Sequence, residues 1–259
     1  RHSFNTAAGK AAIHMVSDWA ADSKLVLAQV KVDEKSNEIT AVPKLLEMLE
    51  LKGCIVTMDA MGCQKKHAAQ IVDKGGDYVL SLKGNHGDLK EAVEFFFDSS
   101  KKENFKDIPY GFHETTDGDH GRIEVRKYWT VTNIDWLDEK PQWKGLKSIG
   151  MVESQRTIGE KTTTETRYFL SSLNGQPQTF AGAVRGHWGI ENSLHWCLDV
   201  AMNEDQCRIR KENAPENFAV IRHIALNLLK KEKTKKNGIK AKSKLTGLDH
   251  QYLLKVLLG

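Results

Sequence analysis

A chain of 259 residues with 40% hydrophobic and 28% charged residues can bury a sizeable core, and its ordinary globular composition excludes wholesale disorder. The net charge of +4 is mild, no apolar run reaches the length of a membrane span, and nothing at the N-terminus reads as a signal peptide. Cys54, Cys63, Cys197 and Cys207 show neither CxxC spacing nor the density of a disulfide scaffold, so a reduced, cytoplasmic setting is expected.

From the N-terminus, Ala11 to Ala20 and Leu25 to Lys31 are β-rich runs separated by the turn-like Ala21-Asp22-Ser23, which predicts a hairpin. Thr40 is expected to cap a helix through Leu51, with Pro43 in the first turn, where its missing N–H is harmless. Gly53 ends it. Cys54 to Met58 is nearly continuously apolar, as expected of a strand buried on both faces, and it stops at Asp59. A helix from Gln64 to Lys74 halts at Gly75-Gly76, and Asp77 to Leu82 forms another buried strand, broken by Lys83-Gly84-Asn85. Leu89, Val93 and Phe96 mark the apolar side of a third helix ending near Ser99. This order predicts an α/β sheet with a parallel part and helical crossovers.

From about 101 to 177 the texture changes to Gly-rich turns and alternating strands, Gly121 to Val131, Gly145 to Gln155 and Thr162 to Leu170, expected as an antiparallel insertion. Helices return over Thr179 to Ala201 and, after Pro215, over Glu216 to Lys231, with Phe218, Ile221, Ala225 and Leu228 spaced as a core face. Between Lys230 and Lys244 stand eight lysines against Glu232 alone. Such a run reads first as a solvated tail or helix end, and second as a phosphate-tracking patch. The expected division is 1–100 and 178–232 as core, 101–177 as insertion, and 233–259 as a basic C-terminal segment.

Two places could carry chemistry. Asp59 stands at the C-terminal end of a strand, where crevices form in open α/β sheets, and Lys83 and Asn85 close the neighbouring strand at the same edge. Taken alone, Asp59 could equally be a turn or capping residue. Further on, His187, Glu191, His195 and Asp199 recur every four residues, opposite an apolar stripe of Ile190, Leu194, Cys197 and Ala201. With Trp188 and Trp196 on the same helix, this row is not expected to be plain surface. Zinc held by the histidines is a rival, although HExxH spacing is absent. Two-metal phosphoryl transfer joins the two places, because clustered carboxylates hold paired Mg²⁺ ions. His120, Arg122, Glu124 and Arg126 alternate with Ile123 and Val125 and share one strand face, either solvated or facing DNA.

Several runs then resemble one family. They are Glu34-Lys35-Ser36-Asn37-Glu38-Ile39, Thr57-Met58-Asp59-Ala60-Met61-Gly62-Cys63-Gln64, Leu82-Lys83-Gly84-Asn85 and His120-Gly121-Arg122-Ile123-Glu124. With them goes Arg185-Gly186-His187-Trp188-Gly189-Ile190-Glu191-Asn192-Ser193-Leu194-His195-Trp196, continued by Leu198-Asp199-Val200. The family is the H-repeat-associated proteins and their DDE insertion-sequence transposase relatives. The resemblance covers nearly the whole chain. It implies a ribonuclease H-like mixed sheet flanked by helices, with an antiparallel β-rich insertion before the last catalytic helix. It also implies metal-dependent DNA cleavage and strand transfer, using Mg²⁺ with Mn²⁺ as a substitute.

The resemblance matches Asp59 to the second and Glu191 to the third catalytic, metal-holding carboxylate. Element ends and target DNA are the implied partners. A homodimer is compatible with that role, no membrane is involved, and the setting is the bacterial cytoplasm, at the nucleoid when DNA is bound. Candidate DNA contacts are Lys83, Asn85, His120, Arg122, Arg126, Arg185, His187, His195, Lys230, Lys231, Lys235 and Lys236. One departure stands out: the family's first Asp lies in a DGK-type segment just before an Arg that matches Arg1, so that Asp and the first core strand are expected upstream of Arg1. Asp18 is one strand too late to replace it. The alternatives are a catalytically inactive DNA-binding remnant and a zinc hydrolase using His187, Glu191 and His195.

Overall fold

The computed structural model describes residues 14–20, 25–32, 38–119, 121–190, 194, 196–209 and 211–258. They form two compact units, Arg1–Leu49 with Gly186–Gly259, and Glu50–Arg185. In the first, β1 (His14–Ala20) pairs antiparallel with β2 (Leu25–Val32), the expected hairpin. Against it packs α1 (Glu38–Met48), which buries Ala41, Leu45 and Leu46. This helix starts earlier than Thr40 and ends before Leu51, so Thr40 sits in its first turn and Pro43 lies inside it.

The second unit is built on one six-stranded mixed sheet of order β3-β4-β8-β7-β6-β5. β3 (Ile55–Met58) and β4 (Asp77–Leu82) run parallel, joined by α2 (Lys65–Asp73), which buries His67, Ala68 and Ile71. Gly75, at a φ of 75° that L-residues rarely adopt, turns the chain out of α2. β4 is buried as expected, but β3 is not covered on both faces: Ile55 is 38% exposed, because β3 is an edge strand among the described residues.

After β4 comes a 3₁₀ turn, Gly84–His86, and then α3 (Gly87–Lys102), which buries Leu89, Val93 and Phe97. Phe97 takes the core position expected of Phe96, since it completes the four-residue spacing from Val93; Phe96 instead stacks on Trp136. β5 (Tyr110–Asp119), β6 (Arg122–Val131), β7 (Ser148–Ile158) and β8 (Lys161–Ser171) form an antiparallel meander, and β8 joins it to β4 through Val79↔Ser171 to Leu82↔Tyr168. α4 (Pro177–Ile190) begins with proline, whose missing N–H is harmless at that position. It packs Phe180, Ala181 and Val184 on Tyr128, Val152 and Phe169. Phe180 lies over Gly150, where a Cβ would come within 2.4 Å of the ring. The opposite face takes α3, with Phe97 stacked on Tyr168.

In the first unit the expected uninterrupted helix to Ala201 is not regular. A π-helical turn spans Cys197–Ala201, closed by Met202 N–H donating to the Cys197 carbonyl at 3.2 Å. The wider turn departs from the regular four-residue repeat expected over this stretch. Leu194, Cys197 and Leu198 pack against Leu226 of α5 (Ala214–Lys231). α5 buries Ala219, His223, Leu226 and Leu229, while Phe218 and Ile221 are exposed. Two helical stripes with the same spacing run along α5, and the buried one contains a histidine, which disguised it.

The basic C-terminal segment is folded as α6 (Ile239–Leu248) and α7 (His250–Leu258), packed through Tyr252 and Val256 on Leu229. Lys242 is not part of a solvated or phosphate-tracking run. It is buried, donates to the Leu229 carbonyl at 3.1 Å and to the Glu232 carbonyl, and lies 3.4 Å from the Glu232 carboxylate. A lysine so placed satisfies the last carbonyls of α5. Tyr252 donates its hydroxyl to the same carboxylate at 2.7 Å.

Hydrogen bonds from Thr234, then from Tyr252, with the Lys242 charge, hold Glu232 down to about 2. Burial, then the Glu232 bond and charge, pushes Tyr252 up to about 12. A depressed carboxylate stabilises the fold above its ordinary pKa and loses that contribution as pH falls toward 2. A raised tyrosine contributes below its ordinary pKa of 10.0 and is lost as pH rises toward 12. Urea melts followed by helical circular dichroism should therefore show stability declining on both sides of neutral, and Glu232→Gln should flatten the acid limb. An unchanged acid limb in that variant would contradict the assignment.

Candidate functional site

β3 delivers Asp59 to the C-terminal edge of the sheet, and the Met58↔Leu80 pairing brings the end of β4 to the same edge. Asp59 is exposed. Its Oδ1 accepts the N–H groups of Met61 and Gly62, each at 3.1 Å, and its carbonyl accepts Cys63 N–H at 3.0 Å. The turn from Asp59 to Cys63 is tied from outside as well. Asn85 Nδ2 donates to the Ala60 carbonyl at 2.8 Å, His67 Nδ1 lies 2.9 Å from the Gly62 carbonyl, and His86 Nε2 lies 2.7 Å from the Cys63 carbonyl. A carbonyl can only accept, so both ring nitrogens carry the proton. The His86 ring meets Trp143 edge-on at 5.3 Å. Behind it, Lys65 bonds Gln142 at 2.5 Å and Glu139 at 3.2 Å.

Burial, reinforced by the nearby Asp59 charge, pushes the Cys63 thiol up to about 12, so it stays neutral near pH 7. Asp59 fits a hard cation: it is an exposed oxygen donor with Oδ1 directed by two backbone N–H groups, and no hydrogen bond engages Oδ2 among the described residues. Lys83 is exposed beside it, with no ion pair among the described residues. No group of three His, Cys, Asp or Glu side chains close enough to hold a metal lies among the described residues. Glu191, His195 and His120 lie outside the described residues.

In the second unit, Arg126 is buried between Asp117, at 2.6 Å, and Glu124. Arg185 reaches Asp117 at 3.2 Å, and Arg122 lies 3.7 Å from Glu124. Arg126 is thus neutralised inside the fold, whereas Arg122 and Arg185 keep about half of their side chains in solvent. In the first unit, His187 lies edge-on to Trp188. Trp188 and Trp196 are 39% and 59% exposed, so neither is a core residue. Lys231, Lys235 and Lys236 are exposed and Lys230 is half-buried. His67 and His86 were missed from sequence; the one available signal was that His86 directly follows the Lys83-Gly84-Asn85 run.

A mixed sheet covered on both faces by helices, with a carboxylate leaving a strand end, is a ribonuclease H-like transposase fold. Whole-chain comparison agrees: the family model described as "Transposase DDE domain" matches residues 1–228. "H repeat-associated putative transposase YhhI" of Escherichia coli (strain K12) is 44% identical over 264 residues, covering 100% of this chain and 69% of that protein. "Putative protein YbfL" of the same strain shows the same identity and coverage. "Putative transposase YncI" of Escherichia coli O157:H7 is 44% identical over 262 residues, covering 99% of this chain and 66% of that protein. The chain belongs to the DDE transposase family. No helix among the described residues is long and apolar enough to cross a membrane.

Proposed function

We propose that this protein catalyses divalent-metal-dependent DNA cleavage and strand transfer, with Asp59 and Glu191 as two of three metal-holding carboxylates. The observation that carries the reading is the exposed Asp59 carboxylate, directed by its own turn at the C-terminal sheet edge. Family membership supports Glu191, within the long Arg185-to-Trp196 motif. In this reading the core comprises 1–100 and 178–232, the β-rich insertion 101–177, and the basic segment 233–259. When bound, Mg²⁺, or Mn²⁺ in its place, supplies an activated nucleophile and a stabilised leaving oxygen. Asp59 and Glu191 hold and orient, while Lys83 draws phosphate toward the same edge. Arg122, Arg185 and the lysines at and beyond the end of α5, Lys230, Lys231, Lys235 and Lys236, supply sequence-independent phosphate contacts. A homodimer would bring two such sites to two element ends in the cytoplasm.

The test is element-end cleavage by the full-length protein after chelation. Activity should vanish with EDTA and return with Mg²⁺ or Mn²⁺. Stoichiometric zinc in active protein would instead support a zinc hydrolase, and DNA binding without cleavage under any metal would support an inactive remnant. Replacing Lys230, Lys231, Lys235 and Lys236 by Gln should weaken DNA binding. It should also make the salt dependence shallower by up to about 3–4 units of slope, since each lost phosphate contact removes roughly 0.9. An unchanged slope would take these lysines off the DNA.

A further inference from the structure

We infer that Asn85 and His86, carried on the short turn after β4, are positioning residues for the Asp59 carboxylate, an assignment that rests on Asp59 being a metal ligand. Asp59 Oδ1 is bound to the N–H groups of Met61 and Gly62, so the direction of its carboxylate follows the direction of the turn. The turn is in turn gripped at three carbonyls, those of Ala60, Gly62 and Cys63. His67, fully buried, belongs to the helix into which the turn leads. Asn85 and His86 come from the 3₁₀ turn that follows the neighbouring strand and tie the Asp59 turn to the sheet edge from across a gap of more than twenty residues in sequence.

Both ties are well made. The Asn85 amide donates at 2.8 Å, and His86 donates at 2.7 Å with its ring braced against Trp143. Asn85 is exposed, and its amide nitrogen donates to the Ala60 carbonyl. Exposed turns of this length sample several directions unless tied, and a metal ligand acts well only when held to within about half an ångström. Losing partners that orient a ligand typically lowers metal affinity or activity roughly 10–100-fold. Mg²⁺, which demands near-ideal octahedral geometry, is sensitive to such misdirection.

The experiment uses the full-length protein with Asn85→Ala, His86→Leu, His86→Gln and, as a control, Asp59→Asn. Mn²⁺ binding is read by electron paramagnetic resonance, alongside the Mg²⁺ concentration for half-maximal cleavage, DNA affinity and Tm. Asn85→Ala and His86→Leu should weaken Mn²⁺ binding and raise the Mg²⁺ requirement by about tenfold or more, with DNA affinity and Tm near those of the wild type. His86→Gln should restore both, because the glutamine amide nitrogen can occupy the place of Nε2 and donate to the Cys63 carbonyl. Should His86→Leu not fold, Asn85→Ala, on an exposed side chain, decides. Wild-type metal binding in Asn85→Ala and His86→Leu, with binding lost in Asp59→Asn, overturns the assignment alone. Reduced DNA affinity with unchanged metal binding in Asn85→Ala also overturns it and gives Asn85 to DNA. Wild-type Mn²⁺ binding in Asp59→Asn removes the metal-ligand reading itself.

Discussion

Glu191→Gln should leave a protein that binds element-end DNA as before and scarcely cuts it. The substitution keeps the shape of the side chain and removes the charge that, in the proposed function, attracts and places a divalent ion. A bound metal contributes several kcal/mol to the transition state, so cleavage should fall by about 10³-fold or more. DNA affinity, carried by lysine and arginine contacts to phosphate, should change by less than about twofold. A paired measurement of cleavage in Mg²⁺ and of binding across a range of salt separates the two. Undiminished cleavage would remove Glu191 from the catalytic set, leaving Asp199 and Glu204 as the next carboxylates to test.

The catalytic role proposed for Asp59 has to be separated from a structural one, because its Oδ1 already serves the local turn. Asp59→Asn keeps a carbonyl oxygen able to accept from Met61 and Gly62 but removes the negative charge. Cleavage should drop by about 10³-fold, as for Glu191→Gln, while stability stays within about 0.5 kcal/mol, the range of changes that break no structural feature. Asp59→Ala removes the acceptor as well. It should show the same loss of cleavage together with a stability loss of about 1 kcal/mol, the usual cost of deleting a side-chain cap. If Asp59→Asn cut DNA normally and only Asp59→Ala were impaired, Asp59 would be a turn residue and nothing more.

Much of the core was legible because local signals agreed. α2 falls within a residue of its expected bounds and β4 coincides with them, since glycine pairs and charged turns bracket runs of a single periodicity. Elements set by tertiary context were harder. β5 was missed because Gly111, Gly118, Asp117 and Asp119 disfavour strands, yet it is held along its whole length by β6. The core face of α5 was misread because Phe218 and Ile221 are apolar at helical spacing while His223 is the buried member. Lys242 looked like surface charge, and only the fold of α6 against the end of α5 shows the carbonyls it satisfies.

At the site, the strand-end position of Asp59 and the shared edge with Lys83 and Asn85 were readable from the order of elements. The ties of Asn85 and His86 to the Asp59 turn were not, because a hydrogen bond from a side chain to a distant backbone carbonyl leaves no periodic trace in sequence.

The most direct test is a crystal structure of the full-length protein with Mn²⁺ and element-end DNA, with the metal located by its anomalous signal. Asp59 and Glu191 should each place a carboxylate oxygen at about 2.0–2.3 Å from manganese, on one ion or on a pair roughly 3.5–4 Å apart. Manganese bound elsewhere, with the two carboxylates well over ~10 Å from each other, would contradict a shared two-metal site, whose ions lie only about 4 Å apart.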